Sequence, residues 1–61
     1  MNGYRWQIQV FDQKHQRWDI TTLYPDGEKF YNYARSQVIR ERAEGELVLL
    51  TDIKSGSLVH I

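Results

Sequence analysis

The side chains of this chain that could do chemistry are few and scattered. His15 lies three residues after Asp12, and His60 lies near the far end. The three could supply metal ligands, but no short spacing such as His-x-x-x-His holds any pair in ligating geometry. Two histidines without a cysteine also cannot close a structural zinc site. The plainer reading is a solvated loop histidine and an ordinary strand histidine, and no metal or other cofactor is expected. Covalent catalysis needs a nucleophile, a base and an orienting group in a shielded pocket. Ser36, Ser55 and Ser57 supply residue types for this, without a spacing that assembles them. Acid–base work by paired carboxylates would need a similar cleft. Asp12 and Asp19 read as a loop residue and a solvent-face strand residue, and Glu41 and Glu44 as solvated helix residues.

Two further patterns resemble binding sites and have simpler explanations. Ile53-Lys54-Ser55-Gly56-Ser57 has the residue types of a phosphate loop. It lacks the Gly-x-x-x-x-Gly-Lys-[Ser/Thr] order, and no helix follows, so it reads as a turn. Arg35, Arg40 and Arg42, with Lys29 a turn or more before them, could meet phosphates. Glu41 and Glu44 interleave with these cations, which is the pattern of a mixed-charge exposed helix face. Tyr31 and Tyr33 are the aromatics best placed to stack on single-stranded bases, or equally to sit at a protein interface.

Any element positioning these residues belongs to one small domain of 61 residues. A chain this short buries only about 60% of its unfolded surface. Its single core rarely supplies more than about 3–5 kcal/mol, so association is the common remedy. A cleft of about 300 Å³ strains a fold of this size, and an enzymatic activity is not expected. Formal charge is zero, with eight cations and eight anions. That balance weakens both a basic nucleic-acid binder and an acidic mimic of nucleic acid. Hydrophobic content of 41% argues against disorder. The chain has no cysteine, which fits a reducing compartment. Met1-Asn2-Gly3-Tyr4-Arg5 leads into alternating residues rather than an apolar run, so no secretory leader is expected. The longest apolar run, Leu47 to Leu50, is far short of a membrane span. A cytoplasmic location follows as the expectation.

Along the chain the pattern is β-β-α-β-β. Residues 4–11 alternate, with Tyr4, Trp6, Ile8 and Val10 on one face and Arg5, Gln7 and Gln9 on the other. Asp12 to Gln16 is a polar hairpin loop, and Arg17 to Tyr24 alternates again. Trp18, Ile20, Thr22 and Tyr24 then share a face, which makes Trp6 and Trp18 cross-strand or diagonal neighbours. Tyr24-Pro25-Asp26-Gly27 is the strongest turn signal. Either Asp26 caps a helix that starts near Glu28, or Lys29-Phe30-Tyr31 forms a short extra strand and the helix starts near Asn32. In both cases the helix runs to about residue 44. Phe30, Ala34 and Val38 form an apolar stripe with Tyr31 beside it, and Lys29, Asn32, Ser36 and Arg40 lie opposite. Gly45 ends the helix. Residues 46–51 read as a buried strand, Asp52 to Gly56 as a turn with glycine in the left-handed region, and residues 58–61 as a last short strand.

The apolar residues do not divide cleanly between two sheet faces. Leu47 and Leu49 face one way while Val48 and Leu50 face the other, and Phe11 and Leu23 fall on the minority face of their strands. One helix covers one face of a sheet, so the second face is expected to be partly apolar. A broad apolar patch on a monomer marks an interface. The alternative is a curled sheet that folds these residues into one core. The interface reading names Tyr31, Tyr33, Arg35, Arg40 and Arg42 on the helix, with Val48 and Leu50 on the second sheet face, as candidate contact residues.

The layout also carries a resemblance. Arg5-Trp6-Gln7-Ile8-Gln9-Val10-Phe11-Asp12 is followed by a polar turn and Arg17-Trp18, then by a helix containing Arg and Ala. Leu47-Val48-Leu49-Leu50-Thr51-Asp52-x-x-Ser55-Gly56 follows. This order resembles short, mostly uncharacterised accessory proteins of bacteria, phages and mobile elements. The resemblance implies a protein that acts by binding, and such proteins include inhibitors of host defence, anti-CRISPR proteins among them. Many of those are acidic mimics, and this chain is neutral. With a third strand the layout is also similar to arm-type DNA-binding domains of phage integrases, which are basic. The combined expectation is an α+β domain, a mostly antiparallel sheet with one helix packed on it. It is expected to act as a non-catalytic protein-interaction module that self-associates or binds a protein partner. Nucleic-acid binding is the rival, and a small metal-dependent protein is the second rival.

Overall fold

The structure is a computed structural model that describes residues 3–61; Met1 and Asn2, where the segment read for a leader begins, lie outside the described residues. Five elements follow in order: β1 (Tyr4–Asp12), β2 (Arg17–Pro25), α1 (Glu28–Ala43), β3 (Val48–Asp52) and β4 (Ser57–Val59). The strands form one antiparallel sheet in the order β2-β1-β3-β4. The α+β class and the β-β-α-β-β order match the sequence expectation. Residues 28–31 belong to α1, so there is no extra strand after Gly27.

The helix obeys its stripe. Ala34 and Val38 are fully buried, and Phe30 and Tyr31 pack beside them. Gly27, not Asp26, is the N-cap, and no side chain caps the helix. The Asp26 carboxylate is held elsewhere, by Arg5 Nη1 at 3.0 Å and Lys54 Nζ at 3.1 Å. The C-terminus closes as a Schellman motif. Glu46 N donates to Glu41 O and Gly45 N to Arg42 O, with Gly45 at φ 96°.

Three cross-strand rows face the helix. Tyr24, Trp6, Asp52 and Ser57 form the first, and Thr22, Ile8, Leu50 and Val59 the second. Asp19, Val10 and Val48 form the third. The buried cluster is Trp6, Ile8, Ala34, Val38, Val48 and Leu50. Each large aliphatic in it contributes about 1.5–3 kcal/mol. Trp6 meets the edge of Tyr31, with ring centroids 5.0 Å apart.

Two β-bulges change the pattern that strict alternation predicts. In β1 the extra residue is Arg5: Tyr4 pairs with Pro25 and Trp6 with Tyr24. Tyr4 thereby leaves the Trp6 face, and the Arg5 guanidinium lies 4.5 Å from the centre of the Trp6 ring. In β2 the extra residue is Thr21: Ile8 pairs with Thr22, but Gln9 pairs with Ile20. Ile20 and Trp18 therefore lie on the face away from the helix. The expected Trp6–Trp18 neighbourhood does not form, and Trp18 instead meets Phe11 edge-on at 5.3 Å.

Both hairpins use the same turn chemistry. Asp12 Oδ1 accepts from Lys14 N at 2.9 Å, and Asp52 Oδ1 accepts from Lys54 N at 3.0 Å. Four residues after each aspartate the backbone enters the left-handed region, at Gln16 (φ 54°) and Gly56 (φ 75°). Glycine adopts that region without steric cost, whereas a residue with a Cβ is strained there by about 1 kcal/mol. Gln16→Gly is therefore expected to raise stability by about 0.5–1 kcal/mol and Gly56→Ala to lower it by about 1 kcal/mol or more. Urea unfolding followed by tryptophan fluorescence measures both.

Candidate interaction surface

Most of the ion pairs collect at the end of the molecule where β1 begins. Arg5 Nε and Nη2 donate to the two oxygens of buried Asp52 at 3.1 and 2.9 Å, a bidentate pair. Arg5 Nη1 reaches Asp26, which also accepts from Lys54 Nζ. The Asp52 carboxyl is held below the usual carboxylate range, first by the Arg5 hydrogen bonds and then by the backbone of its turn. Asp26 is lowered by Arg5 and then Lys54, and the Arg5 guanidinium is raised by Asp52 first. This network ties β1, the helix entry and the β3–β4 hairpin together.

At the opposite end an open groove of about 460 Å³ is lined by Val10, Asp12, Asp19, Thr21 and Glu46, among others. It exceeds the size expected to strain this chain, but it is open to solvent. Two of its three carboxylates, those of Asp12 and Asp19, are already engaged locally. Asp12 Oδ2 accepts from His15 Nδ1 at 2.6 Å, while Asp12 Oδ1 serves the turn backbone. The His15 bond is the main reason the Asp12 carboxyl lies below its ordinary value. Asp19 accepts from Arg17 Nε at 3.0 Å. Asp12 and His15 do meet, but His60 follows β4, an edge strand on the other side of β1. Among the described residues no cluster of three or more His, Cys, Asp or Glu is arranged to hold a metal. Ser36 lies on the exposed side of the helix, and Ser55 and Ser57 lie in and just after the last turn.

The face of the sheet away from α1 is different in kind. Leu23, Gln7, Thr51 and Leu58 form one row across it, and Ile20, Gln9 and Leu49 the next. Phe11 and Trp18 form the third, and Phe11 N donates to Leu47 O to continue it. None of these residues carries a charge. Ile20 is 56% exposed, Leu47 54% and Leu58 52%. The uncovered face is thus apolar and amide-bearing over its whole width.

The residues named from the sequence divide between several roles. Val48 and Leu50 are 3% and 1% exposed and lie under the helix, which corrects their placement on the second face. The second face receives Leu49 and Thr51 instead, because β3 keeps strict alternation. Tyr31 is half-buried against Trp6. Tyr33 is exposed, with its ring against Phe30 and Tyr24. Arg35 and Arg40 are exposed on the helix. Arg42 is structural: its Nη2 donates to Val48 O at 2.8 Å and its Nη1 to Ile61 O at 2.9 Å, clasping the helix end to β3 and the chain end. The sequence reading did not name Gln7, Gln9, Trp18, Ile20 or Leu58 as contact residues. The signal available for the glutamines was their uncharged character at the outward positions of β1. Among the described residues no helix is long and apolar enough to cross a membrane. No protein-family model, curated protein or solved structure matches the chain.

The carboxylates give a pH prediction. Asp12, Asp26 and Asp52 all titrate lower in the folded chain than unfolded. The unfolded chain therefore binds more protons as pH falls. The stability they contribute is complete above the unfolded carboxylate range and is lost as pH falls through the folded values. The thermal midpoint should be level above about pH 5 and fall below about pH 4. Asp52→Asn should lower the plateau and make the acid limb shallower. Calorimetry across pH measures both, and an acid limb unchanged in the variant would count against the Arg5–Asp52 pair as its main source.

Proposed function

We propose that this chain is a non-catalytic protein-interaction module and that the uncovered sheet face is its contact surface. The observation that supports this reading is the combination of exposed Trp18, Ile20, Leu23 and Leu58 with the absence of any charged residue among the strand positions of that face. Apolar and aromatic surface without charge is what the centre of a protein interface contains. Burying it stabilises a complex by about 25 cal/mol for each Å² of apolar surface removed from water, before association costs. A strand of nucleic acid would use the same aromatic rings for stacking, but it also needs cations along its path. Of the exposed arginines, Arg35, Arg40 and Arg42 lie on the helix, on the other side of the molecule, and Arg17 at the start of β2 is paired with Asp19. An inhibitor of a host protein, as the layout resemblance implies, would act through the same sheet face.

The reading separates two surfaces and so can be tested without a known partner. A photoreactive residue in place of Leu58 should give a discrete cross-linked species in cells. The same residue in place of Arg35, on the helix, should give none. Cross-linking from position 35 alone would overturn the assignment of the contact surface.

A further inference from the structure

The chemistry of the uncovered face selects its occupant. We propose that two copies of this chain pack sheet against sheet about a two-fold axis, with the central glutamines of one protomer hydrogen-bonding those of the other. This inference rests on the reading of the uncovered face as the contact surface.

Three observations favour a second copy over an unrelated partner. First, a two-fold axis brings each patch against itself, so like charges would face one another. The face has none, and the whole chain has zero formal charge, so two copies meet without repulsion. A charge-free face also offers nothing by which a charged partner could be steered or selected. Second, Gln7 and Gln9 sit on the central strand β1, half-buried in the middle of an apolar field. Neither side-chain amide is hydrogen-bonded to another described residue. An amide carries a donor and an acceptor together, so two glutamines satisfy each other across a two-fold axis. Against a purely aliphatic partner they would be buried unpaired, at a cost of about 1–3 kcal/mol each. A lone polar residue in an apolar seam commonly fixes register in this way.

Third, the face is broad for a chain of this size. Two strands of nine residues, one of five and one of three make up the sheet. At about 3.4 Å per residue and about 4.8 Å between strands, they cover about 400 Å² in plan. That plan is about half of the roughly 800 Å² per partner that a standard stable interface takes, and side chains standing off it add to the surface available. Aligned packing of two twisted sheets, about 10 Å apart, is the ordinary geometry of a β-sandwich. It would also give a thin single-layer core the second layer it lacks.

Sedimentation equilibrium over a micromolar to submillimolar range should show a monomer–dimer equilibrium. Ile20→Lys should weaken the dimer about a hundredfold or more, as expected for an uncompensated charge at a dry interface. The two-fold register has its own test in Gln9→Glu and Gln9→Lys. Each variant alone should dissociate, and an equimolar mixture should reassociate as a heterodimer. Circular dichroism checks that each variant is folded, and if Ile20→Lys is not, the Gln9 pair carries the test. A wild-type chain that stays monomeric throughout would overturn the proposal. So would a dimer indifferent to both positions, which would use another surface. If the wild type is monomeric but position 58 cross-links a different protein, and Ile20→Lys abolishes that adduct, the second copy is excluded while the contact surface stands. If no substitution on the face alters any association, both readings fail.

Discussion

One helix set against four strands leaves one side of the sheet uncovered, and the extra residue Thr21 in β2 decides what that side carries. With unbroken alternation, Trp18 and Ile20 would lie on the side of Val10 and the helix. The bulge at Thr21 turns that half of β2 over, so both side chains join Phe11, Leu23 and Leu49 on the other side. The core under the helix remains small, built on Trp6, Ile8, Val48 and Leu50 from the sheet and Ala34 and Val38 from the helix. The chain thus divides its apolar residues between a sealed layer and an open one. The helix covers one of these layers and leaves the apolar side chains of the other in contact with solvent.

Charge is distributed as the complement of this division. Arg5, placed by the other bulge, joins Asp52 and Asp26 on the helix side, and Lys54 closes the set. Asp26 would otherwise be free to cap the helix, and its use as an ionic partner explains why α1 begins on an uncapped glycine. A partly buried bidentate pair needs both partners in place, so this network fixes the β3–β4 hairpin against the start of β1 more through geometry than through net energy. With these charges and those of the helix held on one side, the strand positions of the other face are free to be neutral.

Much of the architecture was legible because it rests on local signals. Period-two runs gave β1 and β2, the Phe30–Ala34–Val38 stripe gave the helix face, and Gly45 and Gly56 marked the ends of a helix and a turn. The reading also found that Leu47 and Leu49 oppose Val48 and Leu50, but it assigned the wrong pair to the outer face. Alternation within β3 says which residues share a side, not which side meets the helix; that is fixed by register with β1, through Ile8 opposite Leu50. The bulges were illegible for a related reason. Arg5 and Thr21 carry no glycine or other local mark, and each is an extra residue only relative to its partner strand. The candidate surface, being the product of a register and a bulge, could not be drawn until strand pairing was known.

The position of β1 in the middle of the sheet has a kinetic consequence. Each hairpin closes over a four-residue turn and can form quickly, but β1 and β3 join residues about forty positions apart. That seam gathers most of the buried residues, and the chain between its two strands contains β2 and the helix. The loop entropy of this closure comes before its reward, which sets a folding rate slower than that of a helical bundle of equal length. The same seam is where opening would expose the most amides at once, so its hydrogen exchange would report global unfolding rather than fraying.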